Sequence, residues 1–238
     1  MDLKNKVAVI TGASDGIGRH VALKLAKGGV SLALIARNDE RLKQVKEECI
    51  KLGSPKVEHF VCDVSKRDEV KETVNKIISS FNSVDILLNI AGVWQKLNLL
   101  ENISDEEIEN VLDINLKGLI MMTKEFMPFL KKETESIVLN VSSRSGVVAV
   151  GGESVYTASK WGVTGFTEVL KADLKGSNVR VAGVYQGGTN TGLFEKAGDP
   201  KPEEKMNMFI KPEDLADVIV FMLSRPPQIW LHDVRVEY

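Results

Sequence analysis

Cysteine is nearly absent from this chain: Cys49 and Cys62 are the only two in 238 residues. Two thiols cannot make a disulfide framework, and they suit a reducing compartment. Histidine is almost as scarce, with His20, His59 and His232 forming no ligand cluster. His59 and Cys62 lie three apart in a strand-like run and face opposite sides, so no metal site is expected. Aromatic residues make up only 6%. Trp161 and Trp230 are read as packing residues, and Trp94, just after an apolar run, also as a wall of a substrate pocket. Neither sign of charge dominates, with 31 basic against 33 acidic residues and a net charge of −2. That balance argues against nucleic acid or an anionic membrane as partner. No apolar run approaches the roughly eighteen residues of a membrane-spanning helix, and the opening "MDLKNKVAVITGASDG" lacks the regions of a signal peptide. A cytoplasmic protein is the expectation.

What is present is 43% hydrophobic residues, ample for a core. They fall into seven strand-like runs: "KVAVIT" (6–11), "SLALIA" (31–36), "KVEHFVC" (56–62), "VDILLN" (84–89), "SIVLNVS" (136–142), "NVRVAGV" (178–184) and "IWLHDVRV" (229–236). Most are continuously apolar, as strands buried on both faces of a parallel sheet are. Helical patterns separate them. Asn38 and Ser65 stand as N-caps, Ser104 with Glu107 reads as a capping box, and Pro212 sits where a first helical turn tolerates proline. Repeated strand–helix–strand units predict one doubly wound Rossmann-type α/β domain over residues 1–238, a mostly parallel seven-stranded sheet with helices on both faces. Residues 1–92 would mainly hold a cofactor, and 104–238 would carry catalysis and substrate.

The first strand runs into "TGASDGIGRHVALKLA", where Gly12, Gly16 and Gly18 precede an amphipathic helix marked by Ile17, Val21 and Leu25. Glycines there let the backbone approach a pyrophosphate, and the helix aims free N–H groups at it. At the end of the second strand an acidic residue would bind the ribose 2′-hydroxyl of NAD. Here Ala36 and Arg37 stand in that place, and a guanidinium suits the 2′-phosphate of NADP(H). Asp15 and Asp39 nearby would oppose it, so NADP(H) is the preferred expectation and NAD(H) stays open.

With these motifs in order, the chain resembles the short-chain dehydrogenase/reductase family over essentially its whole length. "TGASDGIG" is similar to that family's cofactor loop, implying contacts from Gly12, Ser14, Gly16, Ile17 and Gly18. "CDV" implies that Asp63, with Val64, caps the adenine ring. "NIAG" resembles the family's Asn-Asn-Ala-Gly and implies Asn89, Ala91 and Gly92, with Ile90 where a second Asn is usual. "DINLKG" supplies Asn115, implied to hold a water that links Lys160 to solvent. "YQGGTNTGLF" implies that Gly187, Thr189 and Thr191 meet the nicotinamide end, with Gln186 where proline is usual. "YTASK" supplies Tyr156 and Lys160, one helical turn apart, and Ser143 lies thirteen residues before the tyrosine and three before Gly146.

The residue types define a chemistry. A phenol titrates near pKa 10. The Lys160 ammonium one turn away, with the positive nicotinamide ring, is expected to favour the phenolate and lower that value. Tyr156 would then donate a proton to a carbonyl oxygen as hydride arrives, or accept it in reverse. Ser143 would polarise the same oxygen, and the family resemblance implies that Lys160 also binds the nicotinamide ribose. Trp94, Ser143, Gln186 and Leu193 are the expected substrate wall, and the polar segment 193–207 is expected to form a mobile lid. The prediction is an NADP(H)-dependent oxidoreductase acting on a small carbonyl or alcohol, working as a homodimer or homotetramer. Two alternatives stay open: an NAD(H)-preferring alcohol dehydrogenase of the same family, and a dinucleotide-sensing protein without turnover.

Overall fold

The aliphatic runs become strands, and the helix after each carries the chain back so that the next strand pairs in parallel. The structure, a computed structural model, describes residues 1–226 and 228–238. The strands are β1 (Val7–Thr11), β2 (Ser31–Ala36), β3 (Val57–Val61), β4 (Ile86–Asn89), β5 (Ser136–Val141), β6 (Val179–Gln186) and β7 (Asp233–Val236). They form one sheet in the order β3-β2-β1-β4-β5-β6-β7, and every pairing is parallel. The winding reverses between β1 and β4, which opens a crevice at their carboxyl ends.

The helices are α1 (Gly16–Lys27), α2 (Asp39–Lys51), α3 (Arg67–Phe81), α4 (Asp105–Leu112), α5 (Leu119–Leu130), α6 (Ser154–Asp173), α7 (Leu193–Lys196), α8 (Glu203–Met208) and α9 (Pro212–Leu223). Strand alternation divides the core in two. Ala8, Ile10, Leu32, Leu34 and Leu88 face α1, α2 and α9, which contribute Leu25, Leu42 and Ile219. Val7, Val9, Ile35 and Leu87 face the other way, against Val74 and Ile77 of α3 and Met122 and Phe126 of α5. Cys49 packs in the first layer and Cys62 in the second, so the free thiols are separated by the sheet.

Local departures from the expected elements have local causes. Strand β7 is shorter than the run, Asp233–Val236: the His232 carbonyl still accepts from Gly183 N–H (2.9 Å), but before it the Trp230 indole, stacked on His232, donates to the Val181 carbonyl oxygen (3.2 Å). Ser65 does not cap α3. Its N–H and hydroxyl both donate to Asp63 Oδ1, and Lys66 takes the cap position without a side-chain bond. Ser104 caps α4 through the Glu107 N–H, but the Glu107 carboxylate accepts from Lys96 N–H, so the box is half closed. Trp161 projects outward from α6, 49% exposed, rather than packing inside. Segment 193–207 is folded into α7 and most of α8. No helix among the described residues is long and apolar enough to cross a membrane.

Phe126 is the largest of the fully buried side chains and fills the layer beneath α5. Phe126→Ala should lower unfolding free energy by about 3–5 kcal/mol through lost transfer energy and the cavity left behind. Urea unfolding of the two proteins checks it, and a loss below about 1 kcal/mol would show a layer that collapses around the gap.

Candidate active site

The crevice at the sheet reversal holds a cleft of about 630 Å³, and its floor is main chain. Gly12 adopts φ +70°, and a Cβ on it would sit 2.9 Å from Ala91 Cα, so only glycine lets the ends of β1 and β4 pass so closely. The Thr11 hydroxyl ties them, accepting from the N–H groups of Ile90 (3.0 Å) and Ala91 (3.1 Å). Over this floor α1 begins, its N-terminus pointing into the cleft as an anion-favouring dipole end. Ser14, Gly16, Ile17 and Gly18 line that end beside Gly12.

Asp15 stands at the N-cap, its Oδ1 accepting from Gly16 N–H (2.7 Å). Its Oδ2 accepts from Arg41 Nη1 (2.8 Å) and from Lys196 Nζ on α7 (2.6 Å). Burial opposes the carboxylate, but Lys196, Gly16 N–H and Arg41 outweigh it and hold the carboxyl below its ordinary range. Asp39 is tied to Lys43 (2.7 Å) and His59 (3.1 Å) and does not line the cleft. The two expected sources of repulsion are therefore already matched with cations. Arg37 and Arg41 line the outer end with Asp63 and Val64. Arg37 makes no ion pair within 4.0 Å among the described residues.

At the inner end Tyr156 and Lys160 share one buried face of α6, each 5% exposed, and both line the cleft. Lys160 Nζ lies 5.8 Å from the Tyr156 ring centroid and donates to the Val141 carbonyl oxygen (3.1 Å). Ala91 and Gly92 line the cleft, and a Cβ on Gly92 would meet Asn115 Oδ1 at 3.2 Å and Lys160 Nζ at 3.7 Å. Burial dominates both ionisable groups. It pushes the Tyr156 phenol up to about 12, with the Ser143 hydroxyl opposing and Glu153 reinforcing the rise, and it pushes Lys160 down to about 8. Desolvation acts against the lowering that Lys160 and the nicotinamide ring together are expected to bring.

Asn115 lies on a π-helical turn, Asp113–Gly118, that interrupts the run from α4 into α5 and turns its amide inward. The amide grips Val93, accepting from its N–H (2.8 Å) and donating to its carbonyl (3.0 Å), and also donates to Ser159 Oγ (3.2 Å). Asn115 therefore holds the chain after β4 from behind the cleft rather than lining it. Ser143 also stands outside the lining. It is buried, accepts from Ser145 N–H (3.1 Å), and acts on the phenol.

Three residues expected at the cofactor serve the scaffold instead. The Asn89 amide donates to Thr123 Oγ1 and Asn140 Oδ1 within the sheet (both 2.9 Å). Gly187 extends the β7 ladder through Val236, and the Thr189 hydroxyl turns back to the Gly187 carbonyl (3.2 Å). Thr191, Gln186, Leu193 and Trp94 do line the cleft. Gln186 Oε1 is buried without a hydrogen-bond partner among the described residues.

Trp94 is the hinge between this wall and segment 193–207. Its ring meets Tyr156 edge-on (centroids 4.6 Å apart) and Phe194 (5.0 Å). Its indole donates to Asp199 Oδ2 (2.9 Å), and Asp199 also pairs with Lys201, whose ammonium lies 5.5 Å from the Phe194 ring centroid. Arg41, Lys196, Asp199 and Gln95, all in contact with the site's framework, had no local sequence signal; a polar Gln95 directly after Trp94 was the nearest to one. No group of His, Cys, Asp or Glu among the described residues is arranged to hold a metal ion.

The comparisons agree with this geometry. The profile of the short chain dehydrogenase family matches residues 6–202. A 3-oxoacyl-[acyl-carrier-protein] reductase of Thermotoga maritima is 34% identical over 229 residues, covering 94% of this chain and 92% of that protein. An alcohol dehydrogenase of the archaeon Thermococcus sibiricus, complexed with 5-hydroxy-NADP, superposes with a TM-score of 0.89 at 29% identity, over 98% of this chain and 96% of that one. A 3-ketoacyl-(acyl-carrier-protein) reductase of Brucella melitensis, complexed with NADH, gives 0.89 at 27% identity, over 99% and 97%. With a parallel sheet reversed over a glycine loop and a tyrosine–lysine pair at its inner end, the chain belongs to the short-chain dehydrogenase family of NAD(P)-dependent oxidoreductases.

Proposed function

We propose that this protein interconverts a carbonyl and a secondary alcohol using NADP(H), with Tyr156 as proton donor and acceptor. One observation carries the reading: Tyr156 and Lys160 open from α6 onto the same cleft that Gly12, Gly18 and the α1 N-terminus floor. That cradle fits a dinucleotide, because Gly12 lets the ends of β1 and β4 close together beneath it and the helix end favours phosphate. Asp63 would meet the adenine, and Thr191 would approach the nicotinamide end. When bound, the cofactor supplies or accepts the hydride. The rest is the work of this chain.

Burial keeps the Tyr156 phenol protonated at neutral pH, so it is ready to donate to a carbonyl oxygen. Lys160 at about 8 remains mostly charged there, and its ammonium stabilises the phenolate left after transfer. The Ser143 hydroxyl favours that phenolate too and would hydrogen-bond the reacting oxygen. Trp94 and Leu193 give the substrate end an apolar wall, with the Gln186 amide beside it. The NADP(H) preference rests on Arg37, whose guanidinium makes no ion pair within 4.0 Å among the described residues, its charge felt by Asp63, while Asp15 and Asp39 are committed to other cations. A homodimer or homotetramer completes the proposal, supported by the outward Trp161 and Val169 on α6.

Activity is tested by NADPH oxidation with ketones, aldehydes and 3-oxoacyl thioesters. Tyr156→Phe should lower kcat about 10²–10⁴-fold with NADPH binding retained, as loss of a general acid does. Tight NADPH binding without turnover on any of these would make the protein a dinucleotide sensor instead. NADPH should bind at least about tenfold tighter than NADH, the scale of one charge-assisted contact, and Arg37→Ala should remove most of that difference. Fluorescence titration reads both affinities, and equal wild-type values would defeat the preference.

Lys160 also gives stability a pH dependence. Its folded value of about 8 lies below the ordinary 10.5. Its contribution is therefore fully present above the unfolded value and is lost as pH falls through about 8. Between those limits the wild type should gain stability relative to Lys160→Met as pH rises, read as diverging urea midpoints. Parallel curves would mean that the amine is not shifted.

A further inference from the structure

The helix that carries Tyr156 begins without a cap of its own. Helix starts leave up to four N–H groups without partners, and Glu153, at the cap position of α6, makes no capping bond. Its carboxyl group accepts from the Ser145 hydroxyl (2.6 Å) instead. The partner comes from sixty residues earlier. Gln95 Oε1 accepts from both Val155 N–H (2.9 Å) and Tyr156 N–H (2.8 Å). Its Nε2 donates to the Gly152 carbonyl in the turn before the helix (3.2 Å), and the side chain is fully buried.

We propose that Gln95 is a positioning residue for Tyr156, fixing the first turn of α6 so that the phenol is presented to the cleft. The proposal rests on the oxidoreductase reading above for its kinetic consequence. Gln95 is the last of three consecutive residues that the site fastens. Asn115 grips Val93 by both main-chain groups, the Trp94 ring abuts the Tyr156 ring, and Gln95 holds the Tyr156 main chain. The tyrosine is thereby held at ring and backbone by adjacent side chains of one rigid segment. The chemistry of the group matters as well. A carboxylate would suit a helix N-terminus, but a further negative charge beside the phenol would act as Glu153 does and make its anion still harder to form. A neutral amide offers the acceptor without that charge.

The test compares Gln95→Leu, which removes the acceptor, with Gln95→Glu, which keeps an oxygen in the same place. In Gln95→Leu, kcat should fall at least about tenfold, the scale of a misplaced reacting group, while NADPH dissociation changes less than about twofold, a split that places the loss in the chemical step. Gln95→Glu should recover at least about threefold of the kcat lost in Gln95→Leu, the scale of one hydrogen-bond acceptor, and stay below wild type because it adds the charge that the amide avoids. Amide exchange followed by NMR should show Val155 and Tyr156 protected in the wild type and exchanging faster in Gln95→Leu. If the leucine variant does not fold, Gln95→Asn, one carbon too short to reach, takes its place against Gln95→Glu.

Wild-type kcat in folded Gln95→Leu, or kcat and cofactor affinity falling together with no recovery in Gln95→Glu, would overturn the proposal. If the wild type itself turns over nothing, the oxidoreductase reading has failed. Amide exchange then decides Gln95 alone, protection at 155 and 156 supporting it and free exchange in the wild type overturning it.

Discussion

Where the winding of the sheet reverses, two stretches of main chain pass with no room for a side chain between them, and the functional architecture is built on that approach. Gly12 and Ala91 are its closest point, and the Thr11 hydroxyl locks it by taking both N–H groups that follow β4. The approach brings the start of α1 over the end of β4. The segment after β4 then runs under the start of α6. The α1 N-terminus, which favours an anion, and the Tyr156–Lys160 pair thus reach one cleft from elements distant in sequence. Ligand sites at such reversals follow from the topology, since helices on opposite faces diverge there and leave the strand ends uncovered.

The inner end of the cleft shows how burial and hydrogen bonding share the tuning of a reactive pair. Desolvation moves the phenol and the ammonium toward their neutral forms, one up and one down. Neither group is left without support. Lys160 has the Val141 carbonyl, and the phenol feels the Ser143 hydroxyl. Behind them the amides of Asn115 and Gln95 satisfy main-chain groups of both converging segments, so the polar cost of the buried site falls on the scaffold rather than on the reacting atoms.

Strands and site differ in how far the amino-acid order reveals them. β1, β2 and β5 were readable as continuous apolar runs because a parallel sheet covered on both sides demands them. The amino-terminal half of 229–236 misled because the Trp230 indole, stacked on His232, bonds the Val181 carbonyl through its side chain, and pairing with β6 begins only at the His232 carbonyl. Tyr156 and Lys160 were readable because their relation is local, one helical turn. The motif residues Asn89, Gly187 and Thr189 were also readable as a set, and the Asn89 amide, the Gly187 N–H and the Thr189 hydroxyl bond to the strand ends that shape the cleft. Gln95 and Lys196 could not be read, since Gln95 acts across 60 and 61 residues and Lys196 across 181, where no periodicity carries information. The π-helical turn at Asp113–Gly118 was equally silent, a one-residue widening that leaves the apolar pattern of the flanking helices intact.

Asp15 places a resident anion at the mouth of the cradle. Its carboxylate already occupies the Gly16 N–H, the Arg41 guanidinium and the Lys196 ammonium, groups that an entering phosphate would otherwise find vacant. A phosphate that took these partners would exchange one negative group for another, and the free energy gained would be only the difference between them. The same exchange runs in reverse when the spent nucleotide leaves, with the carboxylate ready to take the cations back. An internal competitor of this kind trades equilibrium affinity for an easier departure, a useful bargain wherever shedding the product limits turnover.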